Sequence, residues 1–279
     1  MNKRTITGLC IAVALAILIH VQGLPLRLFW IICMAVSIWE CYNAFSLKGV
    51  KPLRWVGLLY AAAALPSYLY LGGEGGLVMD MVFCFIIGCG AVLLSGKPDL
   101  PRAAATVMPI MYPGFLFALT LPLQDQPDKL MAIMSLGILF AVPLMGDVGA
   151  YLVGSKWGKH KLCPAISPHK TIEGAVGGVV FSVAASVLLS HIAARIPDAF
   201  HKYETLRVTV GPLWHYYLLG IVGSVFSQFG DLTASMIKRF CGEKDFGKLF
   251  PGHGGMLDRF DSVLFMSVVT YAYFIVLRG

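Results

Sequence analysis

Asp231, Ser235 and Lys238 recur at i, i+4 and i+7, so a helix carrying them lines a carboxylate, a hydroxyl and an ammonium along one face. Further on come Lys244-Asp245-Phe246-Gly247 and Pro251-Gly252-His253-Gly254-Gly255-Met256-Leu257-Asp258-Arg259-Phe260-Asp261-Ser262. Asp258 and Asp261 stand three apart, close enough on a helix to converge on one point. Carboxylates with hydroxyls beside them are hard oxygen donors and suit Mg²⁺, which takes one or two carboxylates plus substrate phosphates. The glycines between Gly247 and Gly255 let backbone approach a phosphate closely. The stretch lacks the Gly-Lys-Ser/Thr ending of a Walker A loop. Lys238, Arg239, Lys244, Lys248 and Arg259 surround it and can neutralise a polyphosphate. His253 alone reads as a hydrogen-bonding loop residue before it reads as a base or ligand.

A second polar run lies upstream. Asp147, Tyr151 and Gly154 share one helix face, and the basic segment Lys156-Trp157-Gly158-Lys159-His160-Lys161 follows. Then comes Ser167-Pro168-His169-Lys170-Thr171-Ile172-Glu173-Gly174, where Ser167 or Thr171 can cap a helix and Pro168 suits its first turn. Free N–H groups at that helix start, beside Lys170, would suit a phosphate. The same residues also read as a basic loop with a cap, and the roles of Asp147 and Glu173 stay open.

The elements that must hold these groups are transmembrane. Of 279 residues, 57% are hydrophobic and only 13% charged. Soluble domains carry about 25% charge, so much of this surface must face lipid. Nine apolar stretches predict nine helices: Thr5–Val21, Leu28–Phe45, Leu53–Leu71, Leu77–Leu94, Ala103–Leu121, Leu130–Val153, Thr171–Ala193, Leu213–Ile237 and Ser262–Leu277. The first, behind Lys3-Arg4, resembles a signal peptide, but no convincing cleavage site follows, and it reads as a retained span. With the N-terminus cytoplasmic, sixteen of the 22 Lys and Arg fall on the cytoplasmic side, including the whole cluster from Lys238 to Arg259. The positive-inside rule therefore predicts the N-terminus inside and the C-terminus outside. The expected fold is all-α, with residues 1–125 forming helices one to five and residues 126–279 a catalytic region of helices six to nine. Among acidic residues in the spans, Glu40 and Asp80 are expected to snorkel to an interface, whereas Asp147 and Asp231 adjoin polar motifs. The seven cysteines form no CxxC pair and read as packing residues.

The net charge of +7 in so apolar a chain points to anionic lipid and phosphate substrates rather than nucleic acid. At Ser235–Asp261 the sequence resembles the phosphatidate cytidylyltransferases, or CDP-diacylglycerol synthases. Their signature runs Ser-x-apolar-Lys-Arg, then Lys-Asp, then Pro-x-His-Gly-Gly-apolar-x-Asp-Arg-apolar-Asp, and every position is matched here. The Asp147-x-x-x-Tyr151 and Ser167-Pro-x-Lys-Thr-x-Glu-Gly174 motifs resemble the family in the same order. The resemblance implies that CTP and phosphatidate give CDP-diacylglycerol and pyrophosphate at the cytoplasmic face of the cell membrane. It also implies Mg²⁺ on Asp231 and Asp258, with Asp261 as a third ligand, and a monovalent cation such as K⁺ beside it.

Residues and resemblance together make Asp231, Lys238, Arg239, Lys244, Asp245, His253, Asp258, Arg259 and Asp261 the candidate catalytic set. Ser167, Lys170, Ser235, Gly254 and Gly255 are the candidate binding set. Expected partners are CTP, phosphatidate, membrane lipids and a second copy in a homodimer. Asn in place of Asp231 or Asp258 is expected to abolish turnover with little effect on folding. Alternatives are a related CTP-dependent lipid nucleotidyltransferase or kinase, and an anion transporter. The transporter reading predicts inverted repeats with a midplane site, and the sequence displays neither.

Overall fold

A computed structural model describes residues 13–96, 98–126, 128–195, 211–250, 252 and 254–277. The chain divides into two compact units, residues 1–122 with 236–260 and residues 123–235 with 261–279. Among the described residues the principal helices are α1 (Gly23–Leu47), α2 (Arg54–Tyr70), α3 (Glu74–Leu93), α4 (Leu100–Pro109), α5 (Lys129–Trp157), α6 (Ile172–Arg195), α7 (Leu213–Cys241) and α8 (Leu257–Tyr271). Six described helical segments are long and apolar enough to cross a membrane. Residues 5–12 of the expected first span lie outside the described residues, and helix is seen over the remaining 13–21.

In the first unit the core is aromatic. Trp30 of α1, Phe117 and Phe260 pack edge-on or tilted, with centroids 5.4–6.4 Å apart. Phe260 thereby ties the first turn of α8 into this unit. Tyr42 donates to the Thr106 carbonyl at 2.8 Å, joining α1 to α4. The expected fifth span is a broken helix. After α4 come a π-type turn, Ile110–Phe115, and a short helical piece, Leu116–Ala118. Pro113 explains the break, because its ring collides with the carbonyl four residues back and disfavours helical backbone at the residue before it. Tyr112 accordingly adopts φ −127° and ψ 114°.

The second unit is built on α5 and α6. They approach closely through glycines: a Cβ on Gly149 would come within 2.6 Å of Phe181, and one on Gly177 within 2.5 Å of Val153. Small residues at such a crossing are how membrane helices gain packing contact without a hydrophobic drive between them. Asp128 caps α5, accepting from the Leu130 N–H at 2.9 Å. Between the two helices the chain forms an antiparallel hairpin, β1 (Lys161–Cys163) and β2 (Ser167–Thr171), with Lys161 opposite Thr171. This corrects one detail of the all-α expectation: Ser167 and Pro168 lie in a strand rather than at a helix start. Of the two expected caps, Thr171 is the one used, its hydroxyl accepting from the Gly174 N–H at 3.1 Å.

Candidate functional site

The signature residues of the first unit meet around one carboxylate. Asp258 sits in the first turn of α8 and is buried. Its Oδ1 accepts from Lys238 Nζ at 2.8 Å, and its Oδ2 accepts from the N–H groups of Phe246 and Gly255 at 2.8 and 2.9 Å. A carboxylate offers about four lone-pair positions, so three of them are taken. Lys238 stands in the last turn of α7, which runs four residues past the expected Ile237 end. Gly254 takes φ +78°, and a Cβ there would lie 2.7 Å from Asp258 Oδ2. Both facts demand glycine.

Glu40, which sequence reasoning placed at an interface, is instead buried beside this loop. Its two oxygens accept from the N–H groups of Met256 and Leu257 at 3.0 and 2.9 Å. Asp80 is likewise buried rather than snorkelled. A carboxylate inside an apolar helix signals a need for partners, but the sequence has no feature naming them. Lys244, Asp245, Lys248 and Arg259 are exposed. Arg239 is also exposed, and it donates to the Glu243 carbonyl at 3.1 Å. His253 lies outside the described residues.

The second unit holds a cavity of about 490 Å³ whose polar lining includes Asp147, Tyr151, His169, Lys170, Gln228 and Asp231. Asp147, Tyr151 and Gly154 line it together, as their shared helix face predicts. Lys170 pairs with Asp231 Oδ2, and Ser235 donates to Asp231 Oδ1 at 3.4 Å. The Lys170 ammonium is thus engaged by a carboxylate rather than left beside the α6 N-terminus. Ser167 is not among the lining residues. Asp261 Oδ1 accepts from the Ser262 N–H at 2.7 Å. One residue before Asp231, Gly230 packs against the Asp261 backbone carbonyl, so α7 and α8 touch there.

Glu173 has a local job. Its carboxylate accepts from the Lys159 and His160 N–H groups at 3.0 and 3.2 Å and meets His160 Nδ1 at 2.6 Å, which ties the hairpin's entry to α6.

Two carboxylates, Asp147 and Asp231, in one open cavity with a hydroxyl beside Asp231 fit a hard cation that takes its remaining ligands from water and phosphate. Among the described residues no cluster of three or more His, Cys, Asp or Glu forms a complete protein cage.

The pattern of the cytidylyltransferase family matches residues 2–277. The phosphatidate cytidylyltransferase of Staphylococcus epidermidis is 32% identical over 271 residues, covering 95% of this chain and 96% of its own. Those of Bacillus subtilis and Staphylococcus aureus are 30% and 32% identical, over 99% and 95% of this chain and 97% and 96% of theirs. With similarity running the length of the chain, and not only through the motif from Ser235 to Asp261, this chain belongs to the cytidylyltransferase family.

Proposed function

We propose that this protein transfers CMP from CTP to phosphatidate, giving CDP-diacylglycerol and pyrophosphate for phospholipid synthesis. The observation that carries this reading is the match of every signature position from Ser235 to Asp261 within a chain similar to phosphatidate cytidylyltransferases over its whole length.

The chemistry suits the residues. The attacking group is a phosphate oxygen, anionic near neutral pH, so no strong general base is required. The difficulty is bringing two polyanions together, which calls for positioning and charge stabilisation. Carboxylates set the positions of Lys170 and Lys238, and Lys244, Lys248 and Arg259 are exposed for incoming phosphates. We assign Mg²⁺ to Asp231, with Asp147 lining the same cavity and the Ser235 hydroxyl beside Asp231; Asp258 and Asp261 are the further ligands that the resemblance implies. Asp258 retains about one free lone-pair position of four. When bound, the ion would neutralise charge on the phosphates, and K⁺ beside it would add to that.

The topology proposed with this function is nine spans, with the N-terminus and the active site cytoplasmic, in the cell membrane. Cytosolic CTP and the phosphate of phosphatidate can both reach such a site.

Labelled CTP tests the reaction. With purified protein, phosphatidate and Mg²⁺, α-phosphate label enters lipid and pyrophosphate is released. If γ-label enters lipid while α-label stays water-soluble, the protein is a kinase. If neither enters, it is no transferase.

A further inference from the structure

Glu40 belongs to none of the motifs above, yet its carboxylate supports the loop that carries them. It lies within α1, 216 residues before its hydrogen-bond partner Met256. A charged group in a membrane helix is costly, and an apolar side chain would fill the same space without that cost. What an apolar side chain could not do is accept from two backbone N–H groups at once. Helix starts leave four N–H groups without intrahelical partners. Here Glu40 takes the N–H groups of Met256 and Leu257 at the start of α8, while Asp258 takes those of Gly255 and Phe246 from the loop before it. The two carboxylates thus hold four N–H groups of the loop and helix start between them, and Asp258 holds Lys238 as well.

The fit is close on the loop's side too. A Cβ on Gly247 would overlap the Glu40 carboxylate, and one on Gly255 would lie 2.6 Å from its Cδ. Glycine at both positions is therefore a requirement set by Glu40, independent of any phosphate. Leu257 and Asp258 are neighbours, so a shift of the N–H groups held by Glu40 moves the Asp258 carboxylate with them.

We infer that Glu40 is a positioning residue of the transfer reaction: it fixes the glycine loop and the first turn of α8, and through them Asp258 and Lys238. The inference rests on the cytidylyltransferase reading. It deepens that reading by adding a residue from α1 to machinery otherwise confined to the C-terminal half.

The test uses the full-length protein in detergent, with activity expressed per folded molecule from size-exclusion chromatography. Wild-type protein must first form CDP-lipid. If it does not, the proposed function fails, and that result is separate from the fate of Glu40. Given an active wild type, Glu40→Gln keeps the volume but replaces one acceptor with an NH₂ donor facing an N–H. Its kcat should fall on the order of 10- to 100-fold, the loss a displacement of about 1 Å produces. The KM for phosphatidate should stay within about two-fold, because misplacing Asp258 and Lys238 through the loop removes transition-state stabilisation more than ground-state binding. Glu40→Asp, which keeps both acceptors, should recover part of the kcat.

Tyr42→Phe is the control for mere stability, because it removes the buried bond from α1 to Thr106. It should lower the Tm and leave kcat per folded molecule unchanged. If Glu40→Gln does not fold, Gly247→Ala replaces it and should show the same selective kcat loss. Wild-type kcat in whichever of these two variants folds, or an equal kcat loss in Tyr42→Phe, overturns the inference.

Discussion

Lys238 and Asp258 form a buried ion pair, Nζ to Oδ1 2.8 Å, joining the last turn of α7 to the first turn of α8 across the glycine loop. Their side chains are 11% and 3% exposed. The pair closes a 20-residue stretch of chain, and the Phe246 and Gly255 N–H groups complete the shell around the carboxylate.

Breaking that pair should cost stability. Lys238→Met leaves a buried carboxylate without its counter-charge, and removing one member of a buried pair costs about 3–5 kcal/mol. Asp258→Asn should also lower the apparent Tm, against the expectation from sequence that it would spare folding. Thermal unfolding of the detergent-solubilised proteins checks both. A Tm equal to wild type in each would show the pair to be inconsequential.

Asp231→Asn should behave differently. The Lys170–Asp231 side chains are 30% and 26% exposed, and pairs this open to solvent are worth about 0–1 kcal/mol. The fold should persist while turnover drops by more than about 100-fold, because several kcal/mol of transition-state stabilisation go with a metal ligand and each ~1.4 kcal/mol is a factor of ten. Turnover with label-traced CTP at limiting Mg²⁺ is the measurement, and activity close to wild type removes Asp231 from the proposed Mg²⁺ site.

Thiol labelling reads the proposed topology. Both Cys163 and Cys241 stand in or beside the segments expected at the cytoplasm, but Cys163 is half-exposed at the end of β1 and Cys241 is buried at the end of α7. Cys163 should react in inside-out vesicles, and Cys241 should react only after unfolding. Reaction of Cys163 from the outer side would reverse the orientation.

Glycine substitutions test the α5–α6 crossing. Gly177→Ala places a methyl group 2.5 Å from Val153 Cβ and should destabilise by about 1–3 kcal/mol. Gly137→Ala, whose Cβ would meet Leu189 at 3.8 Å, should be neutral or stabilising by up to about 1 kcal/mol. Apparent Tm values in the opposite order would discount the close approach.

The membrane class and most helices were legible without a structure, because an apolar run of sufficient length is a local property of the chain. The same holds for the face shared by Asp147, Tyr151 and Gly154, since helical spacing decides who stands beside whom. Other features are written in the chain but masked by the apolar runs around them. Pro113 marks the break in the fifth span, which the sum of its apolar residues conceals.

The partners of the charged groups were decided by tertiary structure alone. Glu40 finds the Met256 and Leu257 N–H groups 216 and 217 residues away, and Lys170 finds Asp231 across 61. The cost of burying a carboxylate says that it must have donors; which donors depends on how helices distant in sequence pack, and no local pattern encodes that.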